Sequence, residues 1–217
     1  MAIIIGIIQV KGGTGKSTLV TNLVGMMAST KKVVLIDSDI PQATSASWAA
    51  IRQQENITTV TAVDHIELIS EIERLDRNND FIVIDAPPRI AEITKATIIL
   101  SQLCLVPLGA SAAEIWATAD LLEIINAAKA HKPEIDVRIV WNRFRASTRS
   151  AAELSQVAHK ELNLEELKSK LGYRVAYSEA LARGMTALEW PDREARKESK
   201  AFGMEIEHIL RTRFMEI

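Results

Sequence analysis

Residues 8–18 read Ile-Gln-Val-Lys-Gly-Gly-Thr-Gly-Lys-Ser-Thr, a glycine-rich segment with two lysines. An apolar run at 3–8 precedes it, and an apolar stretch rich in small residues at 19–28 follows it. The pattern predicts a strand, a glycine-rich loop and a helix. Glycines let the loop turn several N–H groups toward one centre, and the first turn of a helix adds unpaired N–H groups and a positive dipole end. Such a nest of donors binds a polyphosphate.

The side chains of this loop suit a nucleoside triphosphate bound with Mg²⁺. We expect Lys16 to reach the β- and γ-phosphates and the Ser17 hydroxyl to coordinate Mg²⁺. The general pattern has a glycine where this chain has Val10, and the next residue, Lys11, adds a second positive charge at the loop entrance. The alternative is a glycine-rich turn without a ligand, but the strand, loop and helix patterns all agree with a phosphate site.

The composition is ordinary for a globular protein and limits its partners. The 217 residues, 47% hydrophobic and 25% charged, predict one α/β domain over residues 1–217 with a sizeable core. The net charge of −2 gives no overall attraction to nucleic acid or membrane, so either partner would need a local basic patch. The single cysteine, Cys104, excludes a disulfide within the chain and a zinc site of several thiolates. It lies in an apolar run, which predicts a buried strand thiol.

Two features of the sequence predict a cytoplasmic protein without stable membrane insertion. The start of the chain lacks the basic residues and the small-residue cleavage site of a signal peptide. No apolar run reaches the ~20 residues that a membrane-spanning helix needs.

Apolar runs alternate with segments of helical spacing along the chain. Strands are predicted at 3–8, 33–36, 57–63, 81–84, 103–108 with a break at Pro107, 137–141 and 174–177. Helices are predicted at 17–30, 43–54, 66–75, 92–100, 112–131, 147–172 with an alternative end at Asn163, and 194–214. This alternation predicts right-handed βαβ units and a mainly parallel sheet with helices on both faces.

Acidic residues follow two of the predicted strands. Asp37 and Asp39 come after the strand at 33–36, shortly before Pro41, and Asp85 follows the strand at 81–84. In open α/β sheets the carboxyl ends of the strands carry the ligand site. An apolar strand that ends in aspartate, after a glycine-lysine loop, is typical of a Walker B motif, whose carboxylate holds Mg²⁺ through water.

Taken in order, these motifs resemble the ParA/MinD family of ATPases, whose phosphate loop is a deviant Walker A motif. The resemblance rests on the loop Lys-Gly-Gly-Thr-Gly-Lys-Ser-Thr, the acidic pair before Pro41-Gln42, Asp85 with Pro87-Pro88, Ser178-Glu179-Ala180 with Gly184, and a final helix that carries Glu198. It covers essentially the whole chain and implies a P-loop NTPase fold. The first strand begins at once, with no DNA-binding segment before it, which resembles the small ParA subgroup of ParF-like proteins.

The resemblance implies a role for each matching residue. Lys11 would reach across a dimer interface to the partner's nucleotide, and Lys16 would hold the phosphates in its own subunit. Asp39 would orient the attacking water, although a residue before Pro41 can also be a simple turn-former. The residues implied to contact the phosphates are Gly12, Gly13, Thr14, Gly15, Lys16, Ser17 and Thr18. Those implied to hold Mg²⁺ are Ser17, Asp37 and Asp85. Those implied to contact the adenine are Asn142 and Arg143. Asn142 can alternatively cap the end of its strand.

The family resemblance also implies partners. We expect an ATP hydrolase that forms a homodimer with ATP and Mg²⁺, binds double-stranded DNA non-specifically on the nucleoid, and segregates a cargo such as a plasmid through a ParB-like or other adaptor. Locally basic stretches at 129–149 and 168–183 are candidates for the DNA contact, because DNA binding requires phosphate neutralisation. The candidate residues are Arg145, Arg149, Arg174 and Arg183. The alternative is that these stretches are ordinary solvated faces.

Other functions remain open. A conjugation-associated or protein-compartment-positioning ATPase of the same family would fit, as would a membrane-associated MinD-like regulator. The membrane alternative depends on an apolar face of the final helix, and the acidic residues beside that face oppose anionic lipid. The face comprises Ile206, Ile209, Leu210 and Phe214, and the acidic residues are Glu205, Glu207 and Glu216. A nitrogenase iron protein is excluded because its cluster needs two cysteines per subunit. A dethiobiotin synthetase fits the later motifs less well.

Overall fold

The computed structural model describes residues 1–88, 91–144 and 150–214. Its strands are β1 (Ile3–Ile7), β2 (Val33–Asp37), β3 (Ile57–Thr61), β4 (Phe81–Asp85), β5 (Leu103–Gly109), β6 (Asp136–Asn142) and β7 (Glu165–Glu166). They form one sheet in the order β3-β2-β4-β1-β5-β6-β7, and every pairing between them is parallel. The predicted α/β fold with a parallel sheet is confirmed.

Helices follow most of the strands. They are α1 (Lys16–Met27), α2 (Thr44–Arg52), α3 (His65–Leu75), α4 (Ala91–Leu100), α5 (Ala112–Trp116), α6 (Ala119–Lys129), α7 (Ser150–Leu162), α8 (Val175–Ala182) and α9 (Arg193–Arg213), with a 3₁₀ turn at Asp76–Asn78. None of these helices is both long and apolar enough to cross a bilayer.

Alternate residues of the central strands point to opposite faces of the sheet, and each face has its own core. Ile5 and Ile7 of β1 pack with buried residues of α1, α2, α8 and α9. Ile4 and Ile8 pack on the other face of the sheet. Ile4 packs with residues of α3 and α4, and Ile8 packs with residues of α4 to α7. The predicted arrangement of helices on both faces is therefore confirmed.

The region after β6 differs from the sequence prediction. The helix predicted over 147–172 ends at Leu162, because Asn163 adopts a left-handed conformation with φ 47° and terminates it. The following buried leucines, at 164, 167 and 171, keep a helical spacing although this segment is extended or irregular. Their spacing made the segment resemble a continued helix.

The strand predicted at 174–177 is wrong, because this segment begins α8. Ala176, Tyr177 and Ala180 are buried together on one side of that helix. The helix predicted at 112–131 is instead two helices, α5 and α6, which meet at the buried Thr118. Pro107 does not break β5, since it lies beyond the last residue paired with β1 and removes no ladder hydrogen bond on that side.

The apolar face of α9 is used inside the protein. Ile206, Ile209 and Leu210 are buried in the core shared with α1, and Phe214 packs against the same core. This packing removes the sequence feature on which a membrane-associated alternative depended. Glu216, the last of the acidic residues named with that face, lies outside the described residues.

A buried asparagine joins α1 to the later part of the chain. The Asn22 carbonyl oxygen accepts hydrogen bonds from the backbone N–H of Ala187 at 2.7 Å and from the Ser199 hydroxyl at 3.2 Å. Its amide nitrogen donates to the carbonyl of Thr18 at 2.8 Å. The helix that follows the glycine loop is thereby fixed to α9.

Candidate functional site

The predicted polar residues meet at the carboxyl edge of the sheet, formed by the ends of β1, β2 and β4. Asp85 ends β4 and is in register with Ile7 of β1 on one side and with Asp37 of β2 on the other. The phosphate loop, residues 11–18, leaves β1 at the same edge. Asp37 and Asp85 therefore end neighbouring strands at the edge from which the loop leaves β1.

The phosphate loop needs glycine at two positions where the backbone is left-handed. Gly13 has φ 76° and Gly15 has φ 93°. A Cβ atom on Gly15 would lie 2.0 Å from the Asn142 amide nitrogen, so any side chain there would displace Asn142. That amide nitrogen donates to the carbonyl of Thr14 at 2.8 Å, and the Asn142 oxygen accepts from the N–H of Arg143 at 2.9 Å. Asn142 therefore braces the loop and also caps β6.

Bracing the loop leaves Asn142 some hydrogen-bonding capacity. An asparagine amide has two donors and two acceptor lone pairs, and these contacts use one of each. The predicted adenine contact would have to use the remaining donor and lone pair. Arg143, its predicted companion, is exposed beside it with φ 54°.

Lys16 is a buried ammonium at the start of α1, with only 6% of its surface exposed. Burial lowers the pKa of Lys16, because water no longer solvates the charge, and the nearby charges of Asp85 and Asp39 oppose that fall. A buried cation of this kind is stabilised by an anionic ligand. Its position in the first turn of the helix directs it to the predicted phosphate site.

Asp85 is the complementary buried acid. Burial and, after it, the neighbouring charge of Asp37 together raise the pKa of Asp85 to about 7. Hydroxyls of Ser17 and Ser45 come close enough to favour its charged form, but neither carboxyl oxygen has a hydrogen bond of acceptable geometry among the described residues. An unpaired buried carboxyl is costly unless a cation or water completes its surroundings.

Asp37 and Asp39 lie in different surroundings although they are two residues apart. The fully buried Asp37 carboxylate accepts from the N–H of Asp39 at 3.0 Å and from the N–H of Ala46 at 2.9 Å, so it fixes the segment before α2. Asp39 is half-buried, and burial raises the pKa of its carboxyl while Lys16 lowers it. Its carbonyl accepts from Gln42 and Ala43, which is the turn that the alternative prediction described.

The edge is chemically suited to a nucleotide with Mg²⁺. Besides Asp85, the hydroxyls of Thr14, Ser38 and Ser45 are buried here without a hydrogen-bond partner in the described chain. Within that part of the chain no three acidic, histidine or cysteine side chains form a cation cage, so a metal ion would also need oxygens from its nucleotide. Mg²⁺ typically binds one or two carboxylates together with substrate phosphates and water. The residues present fit that group.

Lys11 lies outside this buried set, at the loop entrance. Its side chain is 43% exposed, and its ammonium lies 3.7 Å from a carboxylate oxygen of Glu114 on α5. The other Glu114 oxygen accepts from the N–H of Gly109 at 2.7 Å. The sequence did not predict this pairing, because Glu114 lies about a hundred positions away. Lys11 thus has an anionic contact within its own chain, but a long and exposed one.

A cleft of about 170 Å³ opens beside the phosphate loop. Its walls include Thr18, Asn142, Arg143, Gly172, Arg174 and Tyr177. We call it the nucleoside cleft, because it adjoins the loop where the base and ribose of a phosphate-bound nucleotide would extend. Ser38, Ser45 and Glu114 near the loop, and Gly172 and Tyr177 in the cleft, were missed by sequence reasoning. Only the position of Ser38 between two aspartates offered a signal.

Two of the four predicted DNA-binding arginines lie within the described residues, and their surroundings differ. Arg145 and Arg149 lie outside the described residues. Arg174 lies in the nucleoside cleft and forms an ion pair with Glu198 at 2.7 Å. Arg183 is exposed, and its guanidinium stacks 4.7 Å from the ring centre of Trp190. In the basic stretches Lys132 and Arg138 are also engaged, Lys132 with the carbonyls of Ile99 and Ser101, and Arg138 with Asp136.

Comparisons with known proteins match this chain to a nucleotide-binding domain. The family model for the CobQ/CobB/MinD/ParA nucleotide binding domain matches residues 5–187. A relative from Halothiobacillus neapolitanus, named maintenance of carboxysome distribution protein A, is 27% identical over 192 residues, or 87% of this chain and 88% of the relative.

Two solved structures share the fold. Apo McdA from Cyanothece has a TM-score of 0.80 at 19% identity, and the alignment covers 95% of this chain and 100% of that one. The septum site-determining protein MinD from Pyrococcus horikoshii OT3, solved with Mg-ADP, has a TM-score of 0.73 at 18% identity over 100% of both chains. At these identities the likeness is one of fold.

The variant Asp85→Asn tests the assignment of the buried acid. It removes a buried charge that faces Asp37, so the nucleotide-free protein should unfold at a higher urea concentration. Mg²⁺-dependent ATP turnover should nevertheless fall by roughly 10–100-fold, because a carboxylate at the metal site is lost. Asp120→Asn removes an exposed charge on α6 and should change neither property. Wild-type turnover in Asp85→Asn would contradict the assignment.

Proposed function

The chain belongs to the family of CobQ/CobB/MinD/ParA nucleotide-binding domains, as an ATPase that works with ATP and Mg²⁺, and we propose that it dimerises with ATP to position a cargo. The observation that carries this proposal is the contrast between its two loop lysines. Lys16 is buried and directed at the phosphates of its own subunit, whereas Lys11 is exposed at the loop entrance. A second subunit is the partner that gives Lys11 a function.

The free energies of the two contacts available to Lys11 favour replacing Glu114 with the phosphates of the second subunit's nucleotide. An exposed ion pair such as Lys11–Glu114, with 3.7 Å between the charged atoms, contributes about 0–1 kcal/mol. Hydrogen bonds from an ammonium to phosphate oxygens are charge-assisted and contribute roughly 1.5–3 kcal/mol each. A twofold dimer would form two such contacts, one from each Lys11. Hydrolysis removes the γ-phosphate charge and would release the dimer.

We assign the remaining roles as the family resemblance implies them. Lys16 and the backbone from Gly12 to Thr18 hold the phosphates, and Ser17 and Asp85 hold Mg²⁺. Asp37 acts beside them mainly through the loop that it fixes. Asp39 orients the attacking water, which its half-buried position near Lys16 supports. Phosphoryl transfer needs positioning and charge neutralisation more than covalent chemistry, and this set supplies both.

The cargo is reached through an adaptor protein, ParB-like or of another kind. A plasmid would fit the ParA/MinD family, and a conjugative DNA complex remains an alternative. A protein compartment is the second candidate cargo, and the relative from Halothiobacillus neapolitanus favours it, since that protein is named for carboxysome distribution. In either case we propose that the ATP-bound dimer associates with the nucleoid through non-specific DNA binding.

We propose Arg145, Arg149 and Arg183 as the main DNA contacts. Arg183 is exposed, and no carboxylate of the described chain lies within ion-pairing distance of it. Arg174 contributes less, because Glu198 neutralises its charge locally. Contacts of this kind bind phosphates and carry no base readout, which suits a protein that moves over arbitrary DNA.

The variant Lys11→Ala tests the dimer. It should still bind one nucleotide per monomer, because Lys16 and the loop backbone are intact. It should not dimerise with ATP and should lose both hydrolysis and DNA binding. Light scattering with ATP and Mg²⁺ measures the molar mass against the 24.0 kDa monomer.

Glu114→Gln is the matched control for Lys11→Ala. The glutamine oxygen can still accept from the Gly109 N–H, but the charge that holds Lys11 within its own chain is gone. This variant should dimerise with ATP at least as readily as the wild type. A Lys11→Ala protein that forms an ATP-dependent dimer of wild-type affinity would exclude the contact between subunits.

Charge reversal tests the DNA contact separately. The double variant Arg145→Glu with Arg149→Glu should weaken ATP-dependent binding to arbitrary duplex DNA, and the slope of log affinity against log salt should become shallower by roughly two. Lys31→Glu with Arg77→Glu makes the same change of charge at exposed residues shortly before β2 and β4 and should retain binding. Full binding by the first variant at matched salt would mean that the stretch is only a solvated face.

A further inference from the structure

The Glu198 carboxylate, on α9, accepts hydrogen bonds from three residues that line one wall of the nucleoside cleft. Glu198 accepts from the N–H of Gly172 at 2.9 Å and from the Tyr177 hydroxyl at 2.9 Å. It also accepts from the Arg174 guanidinium, at 3.1 Å from Nε and 2.7 Å from Nη2. All three donor residues line the cleft, whereas Glu198 lies behind them.

The wall that Glu198 holds is placed at the phosphate loop by the sheet. Phe144 forms a parallel bridge with Gly172, its N–H donates to the carbonyl of Leu171, and the N–H of Tyr173 donates back to Phe144. These bonds continue the line of β6 beyond Asn142 and bring residues 172–174 beside the amide that braces the loop. A Cβ atom on Gly172 would lie 2.9 Å from a Glu198 oxygen, so the backbone and the carboxylate are in close contact.

The ionisation states of Glu198 and Tyr177 suit the hydrogen bonds that they make in this wall. Burial by itself would raise the pKa of Glu198, but the hydrogen bonds from Arg174, Gly172 and Tyr177 outweigh it, and the pKa lies below its usual range. The pKa of Tyr177 is raised, first by burial and then by the Glu198 charge. Glu198 is therefore ionised at neutral pH, and Tyr177 remains a hydroxyl donor to it.

The neighbouring residue of α9 reaches the opposite wall of the same cleft. The Ser199 hydroxyl donates to Asn22 at 3.2 Å, and Asn22 donates to the carbonyl of Thr18, which lines the cleft from α1. Two consecutive residues of one helix thus brace both walls, one through Glu198 and the other through Ser199. The distance between the walls, and so the space for a base and ribose, depends on the position of α9.

We propose that Glu198 is a positioning residue for the nucleoside half of the bound nucleotide, which it serves by fixing the 172–177 wall of the cleft. It does not touch the nucleotide, and the phosphate loop does not depend on it. This inference rests on the nucleotide site that the proposed function also uses. It assigns Arg174 to the nucleoside cleft rather than to DNA, because its guanidinium is committed to Glu198.

The test compares two glutamates of α9 that each accept backbone hydrogen bonds from the segment between α7 and α8. Glu205 lies two turns beyond Glu198, is also half-buried, and accepts from the N–H groups of Lys168 and Ser169 at 2.8 and 2.7 Å. Neither of its donors lines the cleft. Glu198→Gln and Glu205→Gln therefore remove equivalent charges from one helix, and only the first change reaches the nucleoside wall.

Three probes separate the two halves of the site, namely ATP, ADP and inorganic tripolyphosphate, each with Mg²⁺. We expect Glu198→Gln to weaken ATP and ADP binding about tenfold, as the loss of charge-assisted hydrogen bonds implies, and to leave competition by tripolyphosphate within about twofold of wild type. Glu205→Gln should bind all three as the wild type does. Calorimetry gives the two nucleotide affinities, and displacement of a fluorescent ATP analogue gives that of tripolyphosphate.

Equal losses for ATP and tripolyphosphate in Glu198→Gln would overturn the proposal, since they indicate a general loss of structure. Unchanged ATP affinity would overturn it as well. If Glu198→Gln does not fold, Tyr177→Phe, which removes a single donor, is judged by the same criterion and should weaken ATP but not tripolyphosphate. The ADP affinity does not involve the ATP-dependent dimer, so its failure to change as expected is distinct from failure of the wild type to dimerise with ATP.

Discussion

The burial of Lys16 and Asp85 at the carboxyl edge of the sheet is the constraint on which the rest of the structure depends. Desolvation disfavours the charged form of both groups, and the carboxyl of Asp85 also faces the buried Asp37. A chain selected for stability alone would replace such a set with apolar residues. In the proposed function, phosphates and Mg²⁺ would supply the compensating charges, so binding energy and folding would be linked at one place.

The surrounding elements keep this edge open and correctly shaped. Asn142 holds the phosphate loop at Thr14, which requires glycine at position 15, and Asp37 holds the start of α2. On one side α9 braces the nucleoside cleft through Glu198 and Asn22, and on the other Glu114 holds Lys11 by a long ion pair. Contacts near the phosphates are buried and strong, whereas the contact at Lys11 is exposed and weak. This difference in strength suits a site that is rigid in the monomer and in which Lys11 exchanges its contact when a second subunit binds.

Local patterns in the sequence predicted the parts of the site that are themselves local. The glycine loop, the buried strands and the acids that follow them each lie within a few residues, and the structure places them together. The extension of the helix at 147–172 beyond Asn163 was wrong, because three core leucines keep a helical spacing in a segment that is not helical, whereas the alternative end at Asn163 is confirmed. The roles of Glu198, Glu114 and Asn22 could not be predicted, because their partners lie 24, 103 and 165 positions away and no spacing records such contacts.

Titration calorimetry of ATP with Mg²⁺ measures whether nucleotide phosphates neutralise the buried Lys16 ammonium. We expect one ATP per wild-type monomer and no measurable binding by Lys16→Ala. Lys95→Ala, which removes an exposed lysine of α4, serves as the control and should bind like the wild type. Tight ATP binding by a folded Lys16→Ala protein would show that the Lys16 ammonium does not hold the phosphates.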